Sequence, residues 1–221
     1  MKRRSKGTLD LFPPPPAPTR EALGEGAALL RGFALPYASD ALEAVRGIAL
    51  DAPFRNMVTP GGFIMSVALT NCGTYGWVSD RRGYRYSKID PETEKLWPEM
   101  PEVFTRLAYE AANEAGFRHF SPDACLINRY LPGTRLTLHQ DTNELDYTQP
   151  IVSVSLGIPA TFLWGGHQRT DKTMKVPLGH GDVVVWGGPD RMRYHGISPI
   201  KEALHPEVGA VRINFTFRRA G

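Results

Sequence analysis

Cysteine is scarce in this sequence, since Cys72 and Cys125 are the two cysteines among 221 residues. A chain of this length can bury enough apolar surface to fold without cross-links. The scarcity therefore excludes a disulfide-stapled scaffold and a cysteine-rich zinc site. Unlinked cysteines are typical of reducing compartments, and we expect a cytoplasmic protein.

Long apolar runs and an excess of charge of one sign are also missing. No run approaches the roughly 20 residues needed to span a bilayer. The basic start at residues 1–6 leads into Asp10 and prolines instead of the apolar stretch of a signal peptide. The 26 Lys and Arg nearly balance the 23 Asp and Glu. That balance excludes a histone-like polycation but allows a local basic face, and we expect no membrane partner.

The organisation of the chain follows from its composition. Hydrophobic residues make up 42% of the sequence, which suits a single folded domain. The proline-rich stretch 12–18 cannot supply regular backbone donors and favours an extended left-handed helix. We therefore predict a disordered tail over residues 1–20 and one domain over residues 21–221.

The predicted fold class is mainly β with flanking helices. Ser39 and Asp40 are expected to cap a helix over 41–50, and a proline opens a second helix over 101–116 that a glycine ends. Short runs rich in β-branched and aromatic residues follow, at 124–130, 135–141, 150–156, 160–164, 182–186 and 210–218. Short strands without interleaved helices favour a sandwich or jelly roll. Before them, residues 63–70 are strand-like and lead into a basic loop dotted with Gly, Tyr and Trp.

A metal site is suggested by histidine and acid pairs, because residues two apart in a strand point to the same face. Three such pairs occur, His139 with Asp141, His180 with Asp182, and His205 with Glu207. The first follows an alternating strand run, whereas glycines flank His180 and a proline interrupts the third pair. With His195 as a third ligand, His139 and Asp141 would leave coordination positions open, as in non-haem Fe(II) oxygenases. Spacing alone also allows a surface His139 bonded to Asp141 and a core His195.

The last predicted strand separates two kinds of side chain. Its alternation places four apolar residues on one face and four polar residues on the other, namely Val211, Ile213, Phe215 and Phe217 opposite Arg212, Asn214, Thr216 and Arg218. Two guanidinium groups in one cavity would suit a dicarboxylate. Six residues of strand span about 20 Å, however, which exceeds the length of a five-carbon diacid. A solvated polar face on an edge strand is the alternative interpretation.

The sequence as a whole resembles the AlkB family of Fe(II)- and 2-oxoglutarate-dependent dioxygenases. The likeness is carried by segments along the chain, at 8–12, 54–62, 122–130, 139–141, 195 and 212–218. It implies a double-stranded β-helix, a jelly-roll variant, in which His139, Asp141 and His195 hold Fe(II). It implies 2-oxoglutarate and dioxygen as cosubstrates and an N-methylated DNA base as the substrate, with release of formaldehyde. Residues that match the family's 2-oxoglutarate pocket are Asn128, Tyr130, Arg212, Asn214 and Arg218, with Trp186 beside it.

The resemblance also implies a function for the basic, aromatic stretch. Alone it is typical of a solvated loop, although aromatic rings interleaved with Arg and Lys also suit nucleic acid. The resemblance implies a nucleotide-recognition lid over about residues 59–98. Residues expected to contact substrate or line its pocket are Thr59, Met65, Leu69, Trp77, Tyr84, Arg85, Tyr86 and Arg169. Asn143 stands where the family has an acid, so base preference stays open, and we hypothesise that Asn143 relaxes discrimination among methylated bases.

Other functions remain compatible with these residues. One is a 2-oxoglutarate oxygenase that acts on RNA or on a small molecule, although a basic aromatic lid disfavours the small molecule. Another is a non-catalytic nucleic-acid-binding jelly roll with a structural zinc, but a closed zinc site usually has four ligands and often cysteine. We expect a monomer that binds DNA as a single strand or as a flipped base, with RNA as the alternative.

Overall fold

The computed structural model describes residues 19–221, which contain two helices and thirteen strands. The helices are α1 (Ala38–Asp51) and α2 (Glu102–Glu114). The strands are β1 (Thr19–Gly24), β2 (Ala27–Arg31), β3 (Ala68–Gly73), β4 (Gly76–Asp80), β5 (Gly83–Ser87), β6 (Ala124–Tyr130), β7 (Leu136–His139), β8 (Ile151–Gly157), β9 (Ala160–Trp164), β10 (Met174–Leu178), β11 (Val183–Trp186), β12 (His195–Ile197) and β13 (Arg212–Arg218).

Two antiparallel sheets form the body of the domain. Within residues 19–221, the larger sheet has seven strands in the order β1-β2-β11-β8-β13-β6-β3, and the smaller has four in the order β10-β9-β12-β7. Apolar side chains of both sheets form one core cluster, which joins Leu29 and Ile151 to Phe162 and Ile197. This arrangement is a jelly roll with flanking helices, so the predicted fold class is confirmed.

The helices cover the outer face of the larger sheet. The buried residues of α1 recur every three or four positions, as do those of α2, which gives each helix one apolar stripe. These stripes pack on β13 through Ile213, Phe215 and Phe217. The opposite face of β13 is polar and turns toward the smaller sheet. Because β13 lies between β8 and β6, the edge-strand interpretation is wrong.

The predicted helices exist, with one error in how the first begins. Helix α1 starts at Ala38, and no side chain caps it, so the predicted Ser39 and Asp40 caps are wrong. A 3₁₀ turn over Leu35–Tyr37 leads straight into the helix, so Ser39 already lies in its first turn. Helix α2 begins directly after Pro101, as predicted, and Gly116 follows its end with a φ of 98°.

Several strands escaped the sequence interpretation. The predicted basic loop contains the hairpin β4–β5, in which Asp80 pairs with Gly83 around a two-residue turn. Strand β10 was missed because Pro177 hides its pattern, and an edge position tolerates that proline because the strand has one neighbour. Strand β3 begins at Ala68, so only part of the predicted 63–70 strand forms.

The first strand overlaps the predicted tail by two residues. Strand β1 includes Thr19 and Arg20, which the predicted tail had contained, and the rest of that tail lies outside the described residues. In the described part of the chain, we find no helix long and apolar enough to cross a membrane.

Candidate active site

Two neighbouring strands of the smaller sheet bring together the three predicted metal ligands. His139 ends β7 and His195 begins β12, and these residues are direct partners in the antiparallel register. Asp141 follows His139 by two residues, and its carboxylate lies 3.8 Å from His139 Nε2 and 3.7 Å from His195 Nε2. One donor atom of each residue lies within 4.8 Å of the others. Strand pairing thus places two imidazoles and one carboxylate around a single point.

Hydrogen bonds aim both imidazoles at that point. His139 Nδ1 lies 2.9 Å from the Thr137 carbonyl, and His195 Nδ1 lies 3.1 Å from the Arg193 carbonyl. A carbonyl can only accept, so each Nδ1 carries the proton and each Nε2 keeps its lone pair for a metal. Burial, helped by the nearby His139, lowers the pKa of His195 to about 3. Its imidazole is therefore neutral at pH 7 and able to coordinate.

Arg218 fixes the carboxylate of this cluster. Its Nη2 and Nε lie 2.9 and 3.2 Å from Asp141 Oδ2. Burial by itself raises the pKa of Asp141, but the charge of Arg218 beside it outweighs burial and lowers the pKa. The carboxylate is consequently ionised, with Oδ1 left free of Arg218.

A cavity of about 880 Å³ lies between the sheets and opens beside the cluster. It is lined by every predicted site residue except Arg85 and Tyr86, that is, by Thr59, Met65, Leu69, Trp77, Tyr84, Asn128, Tyr130, His139, Asp141, Asn143, Arg169, Trp186, His195, Arg212, Asn214 and Arg218. The other two histidine pairs lie elsewhere, and His180 stacks on His205 with ring centroids 4.2 Å apart. Of the three pairs of histidine and acid, His139 with Asp141 is the one that lines the cavity, and it is the pair that sequence spacing favours.

Arg212 lies deep in this cavity with unused donors. Its Nη2 donates to Ser155 Oγ at 2.9 Å, and its guanidinium lies 4.8 Å from the centre of the Tyr130 ring. Its Nε and Nη1, and the indole Nε1 of Trp186, have no hydrogen-bond partner among residues 19–221. A buried guanidinium with unpaired donors is costly unless an anion is bound. Arg212 and Arg218 stand at opposite ends of β13, and Arg218 is already paired with Asp141.

The hairpin β4–β5 forms one wall of the cavity. Trp77 and Tyr84 stack with ring centroids 5.5 Å apart and planes 14° apart. Arg85 points elsewhere and pairs with Asp80 at 2.8 Å, since neighbouring residues of a strand face opposite sides. Tyr86 does not line the cavity, and it donates its hydroxyl to Glu144 at 2.6 Å, which ties β5 to the segment that follows Asp141.

Similarity to known proteins extends over almost the whole chain. A family model described as the 2OG-Fe(II) oxygenase superfamily matches residues 26–218. The alpha-ketoglutarate-dependent dioxygenase AlkB of Escherichia coli K12 is 54% identical over 213 residues, which covers 96% of this chain and 98% of the relative. This chain belongs to the AlkB family. It is thus an Fe(II)- and 2-oxoglutarate-dependent dioxygenase of that superfamily.

More distant AlkB relatives extend the likeness. The Arabidopsis thaliana protein named DNA N(6)-methyladenine demethylase ALKBH1C is 30% identical over 161 residues, which covers 61% of this chain and 35% of the relative. The solved structure of OsALKBH1 superimposes with a TM-score of 0.78 at 27% identity, and the match covers 91% of this chain and all of the other.

The residues present fit the groups that AlkB-family chemistry requires. Two imidazoles and a carboxylate, without cysteine, are a donor set for Fe(II) that leaves positions open for a cosubstrate. A closed zinc site would need a fourth protein ligand, and none joins the cluster within residues 19–221. The unused donors of Arg212 fit the carboxylate of 2-oxoglutarate, and Ser155 and Tyr130 hold that guanidinium in place.

Sequence reasoning missed two residues of this AlkB-family site, Glu144 and Arg191. The Glu144 carboxylate lies 3.0 Å from Arg191 Nη2 and 3.3 Å from Arg218 Nε, and both members of the first pair are almost fully buried. Arg191 also donates to the Asp141 carbonyl at 3.0 Å. Glu144 stands three residues after Asp141 of the predicted metal cluster, which is the one signal that could have found it. No periodicity marks Arg191, because it follows a 3₁₀ turn outside any strand.

Proposed function

We propose that this dioxygenase removes methyl groups from N-methylated bases of DNA, of the 1-methyladenine and 3-methylcytosine type, and restores the unmodified base. The observation that carries the proposal is the stacked wall of Trp77 and Tyr84 on a cavity that also contains the metal-type cluster. A base that leaves its stack needs flat side chains to hold it. The name of the Arabidopsis relative, a DNA methyladenine demethylase, supports a methylated base as the substrate.

The cofactors would be held by residues already in place. His139, Asp141 and His195 would bind Fe(II), and Arg212 would bind the distal carboxylate of 2-oxoglutarate. Asn128, Asn214 and Arg218 would serve the end of 2-oxoglutarate nearest the iron, with Trp186 as an indole donor at the pocket wall. When bound, Fe(II) with 2-oxoglutarate and dioxygen supplies the oxidation that forms succinate and CO₂ and converts the methyl group into formaldehyde.

The chain itself would orient the base and limit access of water. The Asn214 amide donates to Ser153 Oγ and to the Val154 carbonyl at 2.9 and 2.8 Å, and Asn128 donates to Asn214 at 3.3 Å. This network keeps the polar floor rigid beneath the base. Trp77 and Tyr84 would form one side of the base pocket, and the ring of His139 the other.

Basic side chains at the rim support a nucleic-acid substrate. Arg135 and Arg169 line the cavity, and Arg82 at the hairpin turn is largely exposed. These guanidinium groups can pair with phosphates on either side of an extruded nucleotide. We include Thr59 and Met65 among the residues that would contact the nucleotide, because they line the same cavity. Arg85 and Tyr86 would act indirectly, by shaping the hairpin.

We also propose that the protein is a monomer and that it acts in the cytoplasm. This chain supplies the metal-type cluster, Arg212 and the hairpin wall to one cavity, which supports a monomer. Cys72 and Cys125 are both free thiols although they are cross-strand partners in β3 and β6, which suits a reducing compartment.

The test is methyl loss from a single-stranded DNA oligonucleotide that carries one 1-methyladenine. Purified protein with Fe(II), 2-oxoglutarate and oxygen should reduce the oligonucleotide mass by one methyl group and release one formaldehyde per succinate. An RNA oligonucleotide of the same sequence is the comparison. Methyl loss from RNA alone, or tightly bound zinc with no 2-oxoglutarate turnover, would contradict the proposal.

A further inference from the structure

Two pairs of histidine and acid in the sequence lie outside the active site, and the fold brings their histidines together. The imidazole of His180 stacks on that of His205, with ring centroids 4.2 Å apart and planes 22° apart. Within residues 19–221 no third ligand joins these two rings, so they do not form a second metal site.

His180 is bonded to the main chain of β8. Its Nδ1 accepts the backbone N–H of Gly157 at 2.9 Å. Burial, followed by the nearby His205, lowers the pKa of His180, so its ring is neutral at pH 7. Because Nδ1 is the acceptor, the proton of the neutral ring lies on Nε2.

Gly157 lies where the end of β8 meets the start of β13. It is the partner of Arg212 in the antiparallel register. Its φ is 93°, which favours glycine, and a Cβ at this position would collide with the carbonyl oxygen of Val211. Because the two backbones approach so closely, a shift of Gly157 would displace Val211 and Arg212 as well.

The turn that carries His180 also holds Ser155. The Gly181 N–H donates to the Ser155 carbonyl at 2.8 Å, and the Ser155 N–H donates to the Asp182 carbonyl at 2.9 Å. Ser155 Oγ in turn accepts from Arg212 Nη2 at 2.9 Å. Residues 180–182 therefore fix two residues of β8, one that contacts the Arg212 guanidinium and one that pairs with its main chain.

Asp182 anchors this turn to β2. Its carboxylate accepts the backbone N–H of Gly32 at 2.9 Å and that of Gly179 at 2.8 Å. It also pairs with Arg31 at 2.9 Å. His180 thus extends from a base that is held on three sides.

His205 supports the ring of His180 from the loop between β12 and β13. Its Nδ1 accepts the Glu207 N–H at 3.3 Å, and its backbone exchanges two hydrogen bonds with Gly209, at 3.0 and 2.8 Å. These bonds hold the ring of His205 against that of His180. The loop that leads into Arg212 is thereby fixed to the turn that carries His180.

We infer that His180, held by His205, is a positioning residue for the binding of 2-oxoglutarate. His180 does not line the cavity, and it acts by keeping Gly157, and through it Arg212, in place. The unpaired Nε and Nη1 of Arg212 are then preorganised for an anion. The inference rests on the proposed role of Arg212 in binding the distal carboxylate of 2-oxoglutarate.

The experiment measures two affinities of the Fe(II)-loaded protein under nitrogen, where no turnover occurs. Calorimetry gives the Kd of 2-oxoglutarate, and fluorescence anisotropy gives the Kd of a single-stranded DNA oligonucleotide with one 1-methyladenine. His180→Leu keeps an apolar side chain in the space of the ring but leaves the Gly157 N–H without its acceptor. The Kd of 2-oxoglutarate should rise about tenfold, and that of the oligonucleotide should stay the same.

A conservative variant separates positioning from a general loss of stability. His180→Asn retains an acceptor, because Oδ1 of asparagine can replace Nδ1 of histidine. Its Kd of 2-oxoglutarate should stay within about twofold of the wild-type value. His205→Leu removes the stacked ring and should raise that Kd several-fold. His119→Asn replaces an exposed histidine, so it is the control and should change neither Kd.

Three results would overturn the inference. One is a His180→Leu variant with the wild-type Kd of 2-oxoglutarate, and another is a His180→Asn variant that binds 2-oxoglutarate as weakly as His180→Leu. The third is equal weakening of both ligands by His180→Leu, which would indicate a general loss of structure. If His180→Leu does not fold, His205→Leu decides, since a wild-type Kd of 2-oxoglutarate in that variant contradicts the inference.

The proposed function fails in a different way. Wild-type binding of 2-oxoglutarate by Arg212→Met would show that the role of Arg212 is wrong, and it would overturn this inference as well. The expected order of 2-oxoglutarate affinities, without methyl loss from the oligonucleotide in air, would support the inference and overturn the proposed substrate.

Discussion

The metal end of the cavity and its hairpin wall are positioned in different ways. His195 and Asp141 are buried, and the pairing of β7 with β12 places the histidines within a four-stranded sheet. Trp77 and Tyr84 belong to a separate two-stranded sheet, and Tyr84 is 46% exposed. A two-stranded hairpin is marginally stable by itself and needs support from its surroundings.

Two side-chain hydrogen bonds provide part of that support at adjacent residues. Asn143 accepts from Trp77 on β4, and Glu144 accepts from Tyr86 on β5. The metal end therefore depends on sheet register, whereas the hairpin wall depends on a few replaceable contacts. Substrate preference can therefore change by substitution while the metal end stays intact.

The largest expected effect is at the metal end. Asp141→Ala should abolish demethylation and coupled succinate formation, because it removes a metal ligand and leaves Arg218 without its partner. Formaldehyde and succinate assays measure both products. Asp146→Asn is the matched control in the same loop, since Asp146 bonds locally to Thr148. Turnover by Asp141→Ala at the rate of that control would show that Asp141 is not a metal ligand.

Arg212→Met should weaken the binding of 2-oxoglutarate and at the same time stabilise the protein that lacks 2-oxoglutarate. Without 2-oxoglutarate, the free energy of unfolding of the variant should exceed that of the wild type by about 1 kcal/mol or more, and its melting temperature should rise. The reason is that an apolar chain replaces a buried guanidinium with unpaired donors. Stabilisation by added 2-oxoglutarate should disappear. Thermal denaturation with and without 2-oxoglutarate gives both results, with exposed Arg118→Met as the control. A variant that 2-oxoglutarate still stabilises would show that Arg212 does not hold it.

A smaller effect is expected at the hairpin. Tyr86→Phe removes one hydrogen bond to Glu144, so the packing of the hairpin on the domain should lose about 1 kcal/mol of stabilisation. The KM for a methylated oligonucleotide should rise several-fold, and the KM for 2-oxoglutarate should stay the same. Steady-state kinetics with each substrate varied in turn measures the two constants. Equal changes in both constants would mean that the two regions are not independent.

The sequence predicted most of the metal end from the spacing of its residues. Strand β7 ends at His139, so Asp141 lies just beyond the predicted strand, although both residues line the cavity. The polar face of β13 follows from Arg212 to Arg218 in one alternating run. The pairing of His195 with His139 depends on a register that no local pattern specifies. The resemblance to a known family supplied what spacing alone left open.

The hairpin and its supports were less predictable. Arginines and tyrosines alternate over β5, so no apolar period distinguishes a strand from a solvated loop. Arg85 was expected to contact substrate but pairs with Asp80 across the turn. The roles of Glu144 and Arg191 arise from contacts between residues 47 apart, which only the folded chain brings together.

Metal binding by His195→Ala is the most direct measurement. Equilibrium dialysis under nitrogen with 2-oxoglutarate should find one Fe(II) per wild-type chain, because His139, Asp141 and His195 converge on one point. The same experiment should find the iron lost from His195→Ala while the folded protein persists by circular dichroism. Retention of one Fe(II) by the folded variant, with wild-type affinity, would contradict the site described here.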